Sequence, residues 1–147
     1  MTVTPNDGPI DEGDVVDDVL AGVKLLFVYN ADSGVMNALK DYAHKSVSPA
    51  TYQCNLCALT FGSMGMKNSW TEYIRGLGVP VEFLHRDELR ERYGVEDVYL
   101  PAVLLRDDAG IRVWIPADKI TPLWMLDELK GLVSIRLREL QEERSRS

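Results

Sequence analysis

The feature that most constrains the fold is a short apolar run near the start of the chain, Val23-Lys-Leu-Leu-Phe-Val-Tyr29. Its branched and aromatic side chains are typical of a strand, and the nearly unbroken run predicts burial on both faces. The run ends at the turn and cap residues Asn30-Ala-Asp-Ser-Gly34, after which a helix is predicted from about Val35 to Lys45. A strand followed by a tight turn and a helix indicates an α/β fold.

Three further elements are predicted from local signals in the middle of the chain. Ser69 and Glu72 have the spacing of a capping box, which predicts the start of a second helix. The alternation in Val79–Leu84 predicts a second strand. The segment Asp87–Tyr93 is predicted to form a short charged helix that ends at Gly94.

The last third of the chain predicts a hairpin. A strand over Tyr99–Arg106 is followed by the turn residues Asp107–Gly110 and by a returning strand, Ile111–Ile115. Alternation along the returning strand predicts that Ile111, Val113 and Ile115 lie on one face.

A long helix is predicted to close the fold. Thr121 and Pro122 form a cap followed by proline at the first helical position, which predicts the helix start. The predicted buried positions are Leu126, Leu129, Val133, Leu137 and Leu140. The polar segment 141–147 is predicted to be a tail without structure.

This order of elements resembles the thioredoxin-like fold over about residues 23–140. The resemblance implies a mixed four-stranded sheet flanked by helices. In that family the first strand of the hairpin is entered through a cis-proline that faces the active site, and Leu100-Pro101-Ala102-Val103-Leu104 looks like that segment. The chain also resembles small bacterial proteins of unassigned function that carry a Tyr-Asn-Ala-Asp-Ser-Gly stretch and a later Tyr-x-Cys-x-Leu-Cys.

Both cysteines of the chain, Cys54 and Cys57, form one Cys-x-x-Cys pair in a region where the hydrophobic period breaks down. Thioredoxins carry their pair directly after the first strand, whereas here Cys54 lies 25 residues beyond Tyr29. The catalytic cysteines of the family are therefore not transferred by position, and the pair belongs to an inserted segment. Whether this segment folds back to the end of the first strand is left open by the sequence.

Three interpretations of the pair follow from its chemistry. In the first, Cys54 lies at a helix N-terminus as the more exposed nucleophile and Cys57 is the resolving thiol. In the second, His44 and His85 complete a zinc site, although the separations match no zinc finger. In the third, both thiols are inert core residues.

The remaining candidate residues lie near predicted element ends. His44 ends the first predicted helix, where it stabilises the helix or assists the cysteines, and His85 is read as a surface or cap residue. Three polar residues follow the central strand, where open α/β sheets bind ligands, although the same residues also serve as helix caps. The candidate substrate-binding residues are Asn30, Asp32, Ser33, Tyr52 and Pro101.

Charge and composition limit the possible partners. With 147 residues and 46% hydrophobic residues, the chain is long enough for one domain with its own core. Six of its 23 acidic residues precede Val23, which leaves 17 acids and 16 bases and argues against a nucleic-acid partner. We predict an acidic flexible leader at 1–20, a single thioredoxin-like domain at 21–141 and a polar tail at 142–147.

The chain is predicted to be cytoplasmic, because no run approaches the ~20 apolar residues of a membrane helix and no secretory signal is recognisable. In a reducing compartment a cysteine pair is more often catalytic or metal-binding than structural. The leading hypothesis is a thiol-disulfide or redox-responsive protein that acts on a protein thiol or disulfide without a cofactor. The alternative is a non-catalytic interaction or scaffold module whose pair is inert or holds zinc with His44.

Overall fold

The computed structural model describes residues 20–32, 54–62 and 65–146, which form a four-stranded sheet with helices on both faces. The strands are β1 (Lys24–Val28), β2 (Phe61–Gly62), β3 (Gly65–Met66), β4 (Val81–Leu84), β5 (Ala102–Asp107) and β6 (Gly110–Ile115). The helices are α1 (Asn55–Thr60), α2 (Asn68–Arg75), α3 (Arg86–Tyr93), α4 (Ala117–Ile120) and α5 (Leu126–Arg146). The predicted helix at 35–45 and residues 1–19 of the predicted leader lie outside the described residues.

The sheet has the strand order β4-β1-β5-β6 and is mixed, as predicted. Strand β1 pairs in parallel with β4, and Val28 lies opposite Leu84. On its other side β1 pairs antiparallel with β5, where Val28 lies opposite Ala102, and β5 forms an antiparallel hairpin with β6. Strands β2 and β3 form a separate two-stranded ribbon.

Strand β1 is buried on both faces, which confirms the interpretation of its apolar run. Leu25 and Phe27 belong to the larger core cluster, which also contains Trp70 and the buried side of α5. Leu26 and Val28 face the smaller cluster, which contains Leu89 of α3. The four apolar side chains of β1, those of Leu25 to Val28, are fully buried, so this strand is the centre of the core.

The final helix buries its predicted face and is longer than predicted. Leu129, Val133, Leu137 and Leu140 are buried at the expected helical spacing. The helix continues to Arg146, through residues for which no structure was predicted. The Arg144 guanidinium donates to the Asp107 carboxylate at 2.8 Å, which attaches the last turns of the helix to the hairpin.

The start of α2 differs from the predicted capping box. The helix begins at Asn68 after Lys67, and no side-chain hydrogen bond caps it. Ser69 therefore lies inside the first turn, and its predicted reciprocal bond with Glu72 is wrong. The backbone of Lys67 instead donates to the Thr60 carbonyl at 2.8 Å, which fixes where the chain enters the helix.

The start of α5 also differs from the prediction. Thr121 ends the short helix α4, and α5 begins only at Leu126. The Glu128 carboxylate accepts hydrogen bonds from the backbone N–H groups of Trp124 and Met125, at 2.8 and 2.9 Å. The Glu128 carboxylate, three residues after Met125, thus caps the start of α5 in place of the predicted Thr121.

A bulge in β6 overturns the predicted alternation. Val103 pairs with Ile115 and Leu104 pairs with Val113, so Trp114 is an extra residue in the ladder. Trp114 and Ile115 are consequently both buried, whereas Val113 is 44% exposed. The prediction that Val113 and Ile115 share a face is wrong, because the extra residue turns the end of the strand.

The edge strand β4 carries a cluster of charges around Glu82. Its carboxylate accepts hydrogen bonds from the Tyr93 hydroxyl at 2.6 Å and from the Lys24 ammonium at 2.9 Å, and it contacts the Arg92 guanidinium. The Tyr93 hydrogen bond, with those from Lys24 and Arg92, lowers the pKa of Glu82 to about 2, although burial acts in the opposite direction.

We expect this cluster to contribute stability that is lost in acid. Because the folded-state pKa is lowered, the contribution is fully present above the ordinary pKa of 4.5 and disappears as pH falls towards 2. Glu82→Gln should reduce the free energy of unfolding by about 1–2 kcal/mol at pH 7 and have little effect near pH 2. Urea unfolding at several pH values measures this difference, with the exposed Glu142→Gln as control. If Glu82→Gln lowers the free energy of unfolding by the same amount at every pH, the stability does not come from the charge of Glu82.

Candidate functional site

The cysteine pair lies at the start of the short helix α1. Cys54 is its N-cap residue, and the Cys54 sulfur accepts a hydrogen bond from the backbone N–H of Cys57 at 3.3 Å. The helix start at Cys54 that the first interpretation of the pair requires is therefore present. The two Cα atoms are 5.3 Å apart and the sulfur atoms lie within disulfide-bonding distance. The Cα separation falls within the range of about 4.4–6.8 Å found in protein disulfides.

A second backbone donor connects the pair to the central strand. The N–H of Asn30, two residues beyond the end of β1, donates to the Cys54 sulfur at 3.3 Å. The inserted segment therefore does reach the carboxyl end of β1, which the sequence left open. Two N–H groups directed at one sulfur favour negative charge on that sulfur.

Both cysteines are buried. Cys54 is 0% and Cys57 2% exposed, so the expectation that Cys54 is the more exposed residue is wrong. The reason is that α1 turns its apolar side towards the sheet, where Leu56 and Leu59 join the same core cluster. Any reaction at these sulfur atoms therefore requires local opening or a narrow approach.

The two described polar candidates after β1, Asn30 and Asp32, are held by Arg86, which no sequence pattern indicated. Arg86 donates to the Asp32 carboxylate at 3.1 Å and to the Asn30 side-chain oxygen at 3.4 Å. The Arg86 backbone N–H also donates to the Ala31 carbonyl at 2.9 Å. These bonds attach the loop after β1 to the start of α3, so both candidate side chains have structural partners.

His85 lies at the N-cap of α3, in agreement with its interpretation as a cap residue. The Glu88 carboxylate accepts from the His85 backbone N–H at 2.8 Å and from its ring Nδ1 at 2.7 Å. Among residues 20–32, 54–62 and 65–146, no group of three or more His, Cys, Asp or Glu side chains is arranged to hold a metal ion. The other proposed zinc ligand, His44, lies outside these ranges, as do the candidates Ser33 and Tyr52.

Pro101 lies at the same end of the sheet as the cysteine pair. The Leu100–Pro101 peptide bond is cis, as the resemblance implied, and Pro101 is buried. Ala102 pairs with Val28, so continuing the register by one residue places Pro101 opposite Tyr29. Tyr29 precedes Asn30, which donates to Cys54.

The Tyr29 side chain is a buried aromatic group beside the site. Its ring packs edge-on to Phe61 at 5.5 Å and is stacked with Phe83 at 6.3 Å. Burial raises the pKa of the Tyr29 phenol far above its ordinary value, with a smaller opposite effect from the Thr60 hydroxyl. The Tyr29 hydroxyl makes no hydrogen bond of good geometry within the described parts of the chain. The raised pKa keeps this phenol neutral at ordinary pH.

Asn55 connects the site to a distant loop and was also missed. This residue lies between the two cysteines, and its side-chain amide donates to the carbonyl groups of Ile120, Thr121 and Leu123 at 2.8, 3.1 and 2.8 Å. The only signal in the sequence was a polar residue within an otherwise apolar stretch, Cys-Asn-Leu-Cys.

Comparisons of the chain with protein-family models, with curated proteins and with solved structures give no match. None of the described helices is long and apolar enough to cross a membrane. The fold and the site together define an α/β protein whose two cysteines form a disulfide-distance pair at the carboxyl end of its central strand.

Proposed function

We propose that this chain is a thioredoxin-like thiol-disulfide protein that uses Cys54 and Cys57 on a protein thiol or disulfide in the cytoplasm. One observation carries the proposal. The Cys54 sulfur lies within bonding distance of the Cys57 sulfur and receives two backbone N–H groups, from Asn30 and from Cys57. This arrangement suits both states of a redox pair, because it permits the disulfide and favours the thiolate.

The architecture supports the thioredoxin-like assignment. The four long strands have the order β4-β1-β5-β6, with one parallel pair followed by an antiparallel hairpin. The hairpin is entered through the cis peptide bond before Pro101. The departure is that the pair lies at the start of a six-residue helix that is separated from β1 in sequence, with Cys54 as its N-cap and Cys57 in its first turn. The contact between Asn30 and Cys54 offsets this separation in space.

The proposed reaction is a two-step exchange. The Cys54 thiolate attacks one sulfur of a disulfide in a partner protein, and that S–S bond breaks with release of one partner thiolate. The Cys57 thiolate then attacks the Cys54 sulfur and expels the second partner thiolate. The partner gains two electrons and takes up two protons, while the Cys54–Cys57 disulfide forms. We propose His44 as an assisting base and Pro101 as a neighbour of the bound partner.

Burial favours a second candidate function. Because the residues Cys54 and Cys57 are almost completely buried, the pair would be inert if the surrounding segments do not open. The chain would then be a non-catalytic interaction module whose cysteines belong to the core. This alternative does not require any reaction with a partner disulfide.

The rate at which the reduced, folded chain reacts with an aromatic disulfide reagent distinguishes these functions. The redox proposal predicts reaction in native buffer much faster than global unfolding, with loss of the fast phase in Cys54→Ser. The unfolding rate is measured in parallel by far-UV circular dichroism after jumps to several urea concentrations and is extrapolated to the native buffer without urea. Labelling of wild type no faster than unfolding would reject the redox proposal and support the interaction module.

A further inference from the structure

The amide of Asn55 bridges the cysteine pair and the loop between α4 and α5. Its two N–H hydrogens face three carbonyl oxygens, those of Ile120, Thr121 and Leu123, at 2.8 to 3.1 Å. These acceptors are 65 to 68 residues away in sequence, so the bonds are tertiary contacts and not part of a local turn. Asn55 itself is half-buried and forms the first residue of α1.

The same loop is fixed from its other end by Glu128. The Glu128 carboxylate accepts the backbone N–H groups of Trp124 and Met125. The side chains of these two residues are nevertheless 88% and 60% exposed. Two large apolar side chains are thus displayed on a loop whose backbone is bonded on both sides.

We propose that Asn55 is a positioning residue that holds the Cys54–Cys57 turn against this loop. As a result, the position of the Trp124 side chain and the equilibrium between the disulfide and the dithiol depend on each other. The inference rests on the proposed function, because it requires that the pair changes oxidation state. When a dithiol reductant such as dithiothreitol supplies two electrons and two protons, the S–S bond breaks and two thiols form, while the reductant closes to its own disulfide.

Breaking the bond moves the two sulfur atoms apart, from bonding distance to ordinary van der Waals contact. Asn55 lies inside the turn that must accommodate this movement, and its amide is bonded to the 120–123 carbonyls. The displacement is therefore transmitted to the segment that carries Trp124. Such coupling is reciprocal. If the oxidation state of the pair changes the affinity of a partner for Trp124 and Met125, that partner shifts the redox equilibrium of the pair by the same factor.

Fluorine NMR of the full chain labelled with 5-fluorotryptophan tests this inference. The three tryptophans give separate signals, and Trp124→Phe assigns the one of interest. We expect the Trp124 signal to shift between the oxidised and reduced protein, the shift to be lost in Asn55→Ala, and part of it to return in Asn55→Gln. In Asn55→Ala the equilibrium constant for disulfide formation against dithiothreitol should fall about three- to tenfold. This is the effect expected when one or two net hydrogen bonds are lost from the oxidised state.

Val133→Ala is the matched control, because it removes buried volume from α5 and keeps both cysteines, the Asn55 amide and its three carbonyl acceptors. It should lower the stability but leave both the equilibrium constant and the Trp124 shift unchanged. Intact mass, recorded on the same samples, separates the two possible failures. If the pair cycles while Trp124 and the Asn55→Ala equilibrium stay unchanged, the inference is overturned and the proposed function stands. If the mass shows no cycling, both are overturned.

Discussion

Replacement of Trp70 by alanine is expected to lower the free energy of unfolding by about 3–5 kcal/mol, the range measured for large aromatic residues in cores. Trp70 is fully buried in the larger core cluster. Its ring meets Phe27 of the central strand edge-on at 5.5 Å and stacks on Tyr73 within α2 at 5.7 Å. The substitution therefore removes the aromatic contact between α2 and the central strand. Since domains are stable by only about 5–15 kcal/mol, the variant should unfold at a much lower urea concentration.

Two comparison variants make this prediction specific. Trp124→Ala removes the same side chain from a position that is 88% exposed and should change the unfolding free energy by less than about 0.5 kcal/mol. Trp70→Phe keeps an aromatic ring and removes the indole N–H, which has no hydrogen-bond partner among the described residues. Its effect should be clearly smaller than that of alanine. Equal effects of alanine at positions 70 and 124 would contradict the packing described for Trp70.

Serine substitutions at the two cysteines are expected to have the largest effect on activity. Cys57→Ser should accumulate a mixed disulfide between Cys54 and glutathione, because the resolving thiol is absent. Cys54→Ser should not form this adduct. Thiol-disulfide exchange should fall by at least about a hundredfold in either variant, since each step needs its own thiolate. Intact mass after incubation of the reduced chain with oxidised glutathione detects the adduct.

The double serine variant is the control for this experiment and should remain folded. A disulfide across three residues closes a very short loop, so it constrains the unfolded chain little. An adduct on Cys57 in the Cys54→Ser variant, with none on Cys54 in the other, would reverse the assigned roles. The absence of an adduct in both folded variants would contradict the proposed exchange.

Features that depend on neighbouring residues were predictable from the sequence. The hairpin turn follows from Asp107, whose carboxylate accepts from the Ala109 N–H at 2.9 Å, and from Gly110 with φ of 122°. Gly94 ends α3 in the left-handed region, as expected for a C-terminal glycine. The apolar run of β1 predicted the centre of the core, because its burial follows from composition alone.

Features that depend on tertiary contacts were not predictable. The extra residue Trp114 in β6 is defined by its pairing with β5, so period-2 reasoning wrongly placed Val113 and Ile115 on one face. Ser69 had a suitable cap pattern, but the chain enters α2 two residues earlier because the Lys67 backbone N–H donates to the carbonyl of Thr60 at the end of α1. In both places the local preference was overridden by a partner elsewhere in the chain.

The candidate site likewise combines local features that could be predicted with tertiary contacts that could not. That Cys54 caps a helix was predictable, because the signal lies within a few residues. The contact from Asn30 to Cys54 spans 24 residues and the contact from Arg86 to Asn30 spans 56. No periodicity or spacing encodes such distances in a single sequence. The bonds from Asn55 to the 120–123 segment were missed for the same reason.

The most direct measurement is the intact mass of the folded wild-type chain across a series of glutathione redox buffers, with thiols trapped by iodoacetamide. We expect one reversible transition between a doubly alkylated dithiol and an unalkylated disulfide that is lighter by two hydrogens than the free dithiol. The midpoint should be the same from both directions. A chain that stays in one state throughout, and whose cysteines react only after denaturation, would contradict a redox role for Cys54 and Cys57.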